Sequence, residues 1–446
     1  MSRYFLMNQT MRLLLSRAQI AYLQEKRLRD MLAYAKTHSP WYQERLKHID
    51  PFQMTLNALN DIPIMNKKDV MEHWNDIVTD RRLSIEEAGA FLMTEQGYDL
   101  YNGHHIFASG GSSGRRGMFV WDSNEIALTL ASLYQYQLRD EFCDSMCYSK
   151  EPLMVASIGA LRPVHLSETV LSFPVVPNMQ ARAFSALAPI DDLVNDLNDC
   201  QPTHLNGYPS VIARLALKAT KGQLKINPRR ILVGAEPLLP LMIESIHKAW
   251  PDVKLINNWG STDAGIHAVS CDYSNGHLHL CEDMVIIEPV DEQYNPVEVG
   301  QRSEKILITN LFRKSMPVFR YEMDDRIVLL RETCPCGSQF QLISSVEGRH
   351  EDDFVYGQVI VIAEVFENAI MVDSGVDEYQ VIQTKNGAEV LIVPDRESSI
   401  SSEKMKKDLE YQLQQLGLSN PTIEIKLVEH LKRHEETGKL KRFKCL

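Results

Sequence analysis

No stretch of this chain approaches the ~20 consecutive apolar residues that cross a bilayer, so the sequence predicts no membrane-spanning helix. Positive charge is in deficit: 47 Lys and Arg against 59 Asp and Glu leave a formal net charge of −12. Such an acidic chain is a poor general binder of nucleic acid or anionic membrane. Internal repeats and low-complexity tracts are absent. Near the N-terminus a short apolar patch, Met11 to Leu15, carries Arg12 and is followed by Arg17. It has neither the apolar core nor the small-residue cleavage site of a secretory leader. The expected structure there is an amphipathic helix from about Asn8 to Lys36, and the expected location is the cytoplasm.

Cysteine is sparse, with 8 in 446 residues, and unevenly placed. Cys334-Pro335-Cys336-Gly337 is a tight turn that presents two thiols to one side. Cys271 lies upstream, with His277, His279 and Cys281 close behind it. Clustered Cys and His in a reducing compartment read as metal ligands before disulfides. Two distant knuckles of this kind would close a tetrahedral zinc site. Cys143, Cys147, Cys200 and Cys445 read as ordinary packing or surface residues.

The length, 446 residues, suggests two or three domains. Residues 1–100 look helical and charged, with His38-Ser39-Pro40-Trp41-Tyr42 breaking the first long helix. From Ile106 to about Arg320, short apolar strands such as Met154 to Ile158, Arg230 to Val233 and Lys254 to Asn257 alternate with helical stretches. The latter include Ile190 to Leu197, Val211 to Ala219 and Pro240 to Ala249. That alternation predicts an α/β fold, a large layered N-terminal domain with a mostly parallel sheet. Charge and turn formers crowd Glu347 to Asp353. A boundary there gives a large domain of 1–347, with the cysteine knuckles at 271–336, and a small mobile α+β domain of 348–446.

Phe107 to Gly117 holds four glycines, three serines and two arginines between apolar strand-like flanks. Glycines let backbone N–H groups approach an anion, and serine and arginine add donors and charge. The loop is not a Walker loop, because no Gly-Lys-Ser/Thr ending follows. Read alone, such a segment is also an ordinary flexible turn. Gly234-Ala235-Glu236-Pro237 and Asn258-Trp259-Gly260-Ser261-Thr262-Asp263 each follow a strand, the position where open α/β sheets bind ligands. Met316 to Asp325 ends a strand with two carboxylates, and Thr437-Gly438-Lys439 supplies a late lysine. Each alone is a turn, a helix cap or a solvated charge.

Their order is specific. Ser/Gly loop, Gly-Ala-Glu-Pro, aromatic-Gly-x-Thr-acid, Arg-Tyr-x-x-x-Asp, a Gly-Arg hinge with paired aspartates and a terminal Gly-Lys together resemble the adenylate-forming superfamily. Within it, Ala108 to Gly114, Gly234 to Pro237, Pro317 to Tyr321, Cys334 to Gly337 and His279 to Asp283 resemble the phenylacetate–coenzyme A ligase branch, including its deazaflavin-coenzyme adenylating synthetase-related group. His38 to Tyr42 and Ile62 to Lys67 fit it as well, so the resemblance spans nearly the whole chain.

The resemblance implies ATP and Mg²⁺ as cofactors, a carboxylic acid as substrate, and coenzyme A or an acyl carrier protein as acceptor. Ser109, Ser112, Ser113, Gly114 and Arg115 would grip the phosphates. Gly234, Ala235 and Glu236 would line the adenine slot, with Trp259 and Gly260 where the family has tyrosine and glycine. Thr262 would meet the α-phosphate, Asp263 would hold Mg²⁺, and Asp325 would bind the ribose near Arg349. Lys439 would approach the α-phosphate and acyl oxygen. Tyr208, Pro209 and Gly159 would line an apolar acid pocket. Zinc ligands would be Cys271, His279, Cys334 and Cys336, with His277 or Cys281 as alternatives to His279.

Three positions depart from the family pattern. Asp263 is one methylene shorter than the usual glutamate, the hinge is one residue longer, and Tyr356 to Ile362 lacks the usual Phe-Pro. The expected activity is adenylation of the acid followed by transfer to a thiol. The competing expectations are AMP transfer to a hydroxyl and a catalytically silent nucleotide-binding protein.

Overall fold

The computed structural model describes residues 3–92, 94, 100–109, 117–144, 153–159, 166, 179–344, 346, 352–371, 373, 375–394, 400–435 and 439–446. Its N-terminal part is helical, but the helix expected as one piece is divided. Arg3–Met11 and Arg17–His38 are separated by a 3-10 turn, Arg12–Leu14. The break has a local cause. Ser16 accepts from the Gln19 N–H while the Gln19 side chain accepts from the Ser16 N–H, a reciprocal cap that starts a new helix. That helix buries Ile20, Gln24, Leu28, Met31, Leu32 and Ala35, the stripe a helix turns toward a core.

A hairpin of β1 (His105–Ala108) and β2 (Met118–Trp121) precedes the main sheet. The main sheet collects β3 (Leu153–Gly159), β4 (Met179–Ser185), β5 (His204–Gly207), β6 (Arg230–Gly234), β7 (Lys254–Ser261), β8 (Gly265–Val269) and β9 (Leu278–Leu280). Its order is β13-β9-β8-β7-β6-β5-β3-β4, where β13 is Leu342–Ile343. The run from β4 through β7 is parallel and the remainder antiparallel, so the mostly parallel sheet is present. Helices Ile190–Cys200, Pro209–Thr220 and Pro240–Ala249 are its crossovers. Leu193, Val194, Leu197 and Cys200 form one apolar stripe packed on this sheet's core. Leu197→Ala there would cost about 2–5 kcal/mol. A second sheet of β10 (Val285–Val290), β11 (Lys305–Asn310) and β12 (Tyr321–Met323) is antiparallel.

The C-terminal part begins with a hairpin, β14 (Phe354–Tyr356) and β15 (Val359–Val361). A four-stranded sheet follows, ordered β18-β17-β16-β19, from β16 (Val376–Thr384), β17 (Gly387–Pro394), β18 (Thr422–Leu427) and β19 (Phe443–Lys444). Helices Ala363–Met371 and Ser402–Gln415 complete an α+β unit. Phe354, Phe366, Tyr379 and Phe443 center its core, which Leu239 and Met242 of the large part join. The boundary expected near residue 348 falls on residues outside the described set, as does Arg349. Asp353, just after it, is buried and accepts from the two terminal guanidinium nitrogens of Arg326 at 3.1 and 2.7 Å. Among the described residues, no helix is long and apolar enough to cross a membrane.

Candidate active site

Because β3, β5, β6 and β7 are parallel neighbours, their carboxyl ends share one edge. Gly159, Tyr208, Gly234 to Glu236 and Ser261 to Asp263 therefore meet there. Glycine is required at Gly234: a Cβ would lie 2.5 Å from the Asn258 amide nitrogen, and that amide donates to the Val233 carbonyl at 2.7 Å. Ala235 next takes a left-handed φ of 67°, which a side chain resists and which clusters at functional turns. The turn delivers Glu236. One Glu236 oxygen accepts from the Ser210 N–H at 3.3 Å and the other from the Leu440 N–H at 3.1 Å.

Thr262 and Asp263 form the tight β7–β8 turn. The Trp121 indole N–H donates to the Thr262 carbonyl at 3.2 Å, and Asn310 donates to the Ala264 carbonyl at 2.8 Å. The Arg313 guanidinium donates to the Asp263 carbonyl and to the Met316 carbonyl. Arg313 is fully buried, and burial pushes its pKa down to about 10. The Asp263 carboxylate itself is half-buried and accepts from the Tyr321 hydroxyl at 2.6 Å. Burial, and then the Asp263 charge, hold that phenol well above its ordinary value, so it stays a donor. The Trp259 ring is buried, and its N–H reaches Asp325 at 3.3 Å. That bond brings Asp325, just past β12 of the second sheet, to the same edge. Gly260 beside it is exposed, and a Cβ there would lie 2.7 Å from the Gly265 carbonyl oxygen.

Ser109 closes the base of the β1–β2 hairpin: its N–H donates to the Gly117 carbonyl at 2.8 Å and its Oγ accepts from Gly117 at 3.0 Å. Ser112, Ser113, Gly114 and Arg115 lie outside the described residues. From the C-terminal unit, Lys439 reaches the sheet edge with its ammonium 5.7 Å from the center of the Tyr208 ring. Pro209, next to Tyr208, is the first residue of a helix, the position its fixed φ favours.

The Cys/His knuckles also converge. Ligand atoms of Cys271, His279, Cys334 and Cys336 lie within 4.8 Å of one another. The His279 Nε2 is 3.5 Å from the Cys271 sulfur and 3.6 Å from the Cys336 sulfur, and the Cys271 and Cys334 sulfurs are 3.6 Å apart. A tetrahedron with metal–sulfur bonds of about 2.3 Å and metal–nitrogen bonds of about 2.0 Å has edges of ~3.5–3.8 Å, so the donors fit zinc. His279 is fully buried and stacks on Tyr136 at 4.6 Å. His277 instead faces Glu332 at 3.3 Å, and Cys281 is buried outside the cluster. His279 is therefore the histidine of the set.

Tyr321, Arg313 and Arg433 shape this edge without having been given a role from the sequence. For Tyr321 the signal was available in its place beside Arg320 in the strand-ending motif. A bond such as Leu440 to Glu236 joins residues 204 apart and leaves no local trace.

No protein-family model matches the chain. A phenylacetate–coenzyme A ligase of Thermus thermophilus is 23% identical over 384 residues, which are 84% of this chain and 80% of the relative. Protein CapK of Staphylococcus aureus is 22% identical over 373 residues, 81% of this chain and 75% of that one. Among solved structures, 2-hydroxyisobutyryl-coenzyme A ligase in its postadenylation state with a bound acyl-adenylate matches with TM-score 0.73 and 18% identity. That match covers 97% of this chain and 90% of the other. The same enzyme in its thioesterification state, with acyl-adenylate and coenzyme A, gives 0.60, with 97% and 91% covered at 18% identity. Fold, ordered motifs and relatives agree in a likeness to the adenylate-forming superfamily, in its phenylacetate–coenzyme A ligase-like branch.

Proposed function

We propose that the protein activates a carboxylic acid with ATP and passes the acyl group to a thiol, that of coenzyme A or of an acyl carrier protein. The carrying observation is the arrival of Lys439, from the C-terminal unit, at the shared edge of the parallel strands. In the first half-reaction the acid's carboxylate oxygen attacks the α-phosphorus of ATP, and the bond to pyrophosphate breaks. Negative charge accumulates at that centre, and fixed donors and cations stabilise it. Lys439 approaches the developing charge, Thr262 contacts the α-phosphate, and Ser109 to Arg115 hold the departing pyrophosphate. Asp263, oriented by Tyr321, would hold Mg²⁺, which supplies charge neutralisation to the phosphates. In the second half-reaction a thiolate attacks the acyl carbon and AMP leaves.

Adenine would lie against Gly234, Ala235 and Trp259, and the ribose hydroxyls against Asp325. Arg349 would sit near the ribose. The acid would enter past Gly159, Tyr208 and Pro209, whose aromatic and apolar surfaces suit an aryl or other apolar acid. The C-terminal unit, from about residue 348, would act as a lid that docks for adenylation and turns away for thioester formation. The better match to the postadenylation state than to the thioesterification state, 0.73 against 0.60, supports assigning this docked arrangement to the first half-reaction. The cysteine–histidine cluster would hold a structural zinc, since its four ligands leave no open position.

The test is pyrophosphate release from Mg²⁺-ATP across a panel of aryl, fatty and amino acids, with hydroxylamine to trap acyl-adenylates. Release that depends on one acid class supports ligation and names the class. ATP binding without release on any acid would turn the assignment to AMP transfer onto a hydroxyl, or to a silent nucleotide-binding protein.

A further inference from the structure

Helix Pro209–Thr220 starts at the sheet edge without a capping side chain of its own, because its N-cap residue Tyr208 makes no side-chain cap bond. The first N–H groups of a helix need acceptors, and its N-terminus carries partial positive charge. Glu236 supplies both requirements from another loop, accepting from the Ser210 N–H at 3.3 Å. This bond lies wholly within the large part of the chain, so it fixes the carboxylate whether or not the C-terminal unit is docked. The second oxygen is thereby aimed outward, and it accepts from the Leu440 N–H at 3.1 Å. Leu440 directly follows Lys439.

A second clasp reaches the same helix. Arg433 of the C-terminal unit donates to the Ser210 hydroxyl at 3.3 Å and pairs with Glu378 of its own unit. Glu378 is 4% exposed, and its other oxygen lies 3.9 Å from the Arg214 guanidinium on that helix. Ser210 is thus held through its N–H by Glu236 and through its hydroxyl by Arg433.

We infer that Glu236 is a positioning residue for Lys439: a pre-oriented carboxylate that receives the backbone of the lysine segment and sets it for the adenylation half-reaction. Arg433, Glu378 and Arg214 form the companion clasp that releases when the unit turns away. The inference rests on the adenylation reading proposed above, and it gives Glu236 a task other than lining the adenine slot. Each carboxylate oxygen already takes one backbone N–H. The strained φ of Ala235 then serves to aim the carboxylate at both segments at once.

The experiment compares the full-length parent with Glu236→Gln, an isostere whose amide nitrogen cannot accept the second N–H. Four readouts are taken: hydrogen exchange of the Leu440 amide with Mg²⁺-ATP present, pyrophosphate formation with the acid the panel identifies, the KM for ATP, and thioester formation from supplied acyl-adenylate. Exchange at Leu440 is expected to rise about tenfold, and kcat for adenylation to fall about tenfold, as loss of a charge-assisted hydrogen bond implies. The KM for ATP and the thioester step should each stay within about twofold. Glu378→Gln, which leaves the helix cap in place, should shift the same two readouts in the same direction. It serves as the second variant if Glu236→Gln folds poorly. A raised KM for ATP with Leu440 still protected would place Glu236 in the nucleotide site and overturn the inference. Equal loss in both half-reactions would overturn it too. If the parent adenylates no acid, the functional reading fails, while unchanged Leu440 exchange in both variants would still reject the docking role.

Discussion

The Tyr321 hydroxyl donates to the Asp263 carboxylate at 2.6 Å, joining the β7–β8 turn to the first residue of β12. Asp263 is one methylene shorter than the family's glutamate, and a short carboxylate has little freedom to choose its direction. Tyr321 fixes that direction from a buried position, 2% exposed. Tyr321→Phe removes the donor and leaves the shape. Adenylation should slow about tenfold, the worth of one hydrogen bond to a charged group, and the Mg²⁺ concentration for half-maximal rate should rise. A magnesium titration of pyrophosphate release checks this. An unaltered titration curve would mean that Tyr321 does not orient a carboxylate that meets Mg²⁺.

The cysteine–histidine cluster sets a prediction with an internal control. Purified, chelator-free protein should carry about one zinc per chain by elemental analysis, as a closed four-ligand site requires. His279→Ala and Cys334→Ser should lose it, whereas His277→Ala should keep it, because His277 faces Glu332. Metal removal should lower the melting temperature by roughly 5 °C, the shift expected when a ligand held at about a thousandfold above its dissociation constant is withdrawn. Equal zinc in the His277 and His279 variants would reject this ligand set.

The parts legible in the sequence were those written in local chemistry. Strands ending in Gly234 and Ser261 are followed at once by turn residues, so the parallel sheet and the edge where its turns gather were readable. The cysteine knuckles announced a metal-type cluster, yet spacing alone could not separate His277 from His279. That choice is made by position: His279 lies within β9, buried beside the cysteines, whereas His277 precedes the strand and faces Glu332. The break at Arg12–Leu14 was missed because the apolar pattern runs on through it. The Ser16/Gln19 cap that causes it is a polar signal, which periodicity does not register. Glu236 was expected only beside adenine, since its bond to Ser210 joins two separate loops and its bond to Leu440 forms only when the C-terminal unit docks.

Lys439→Ala offers the plainest test of the lysine's role. Its ammonium stacks over Tyr208, a contact worth only about 0.5–1 kcal/mol near a surface, so melting should shift by no more than a few degrees. Adenylation should fall by roughly 100-fold or more, the usual effect of removing a group that stabilises transition-state charge. Thioester formation from supplied acyl-adenylate should persist. Near-parental adenylation by this variant would remove Lys439 from the reaction.

Acid sensitivity should trace in part to His204, at the start of β5. Burial pushes its pKa down to about 4, and the charges of Arg230 and Arg229 add to the effect. Its Nδ1 lies 3.1 Å from the Thr203 hydroxyl. In the unfolded chain the imidazole titrates near pH ~6.5. Between those two values the unfolded state binds a proton that the folded state refuses, so stability falls as pH drops from about 6.5 to about 4. The depressed value corresponds to a loss of about 2 kcal/mol between pH ~7 and ~5, an upper figure because His204 is not fully buried. His204→Gln cannot take up that proton in either state. Urea denaturation of parent and variant at the two pH values should show the variant losing less stability on acidification. Other buried acids titrate identically in both proteins and cancel from the comparison, so an equal pH loss in the two would show that His204 stays solvated enough to protonate in the folded state.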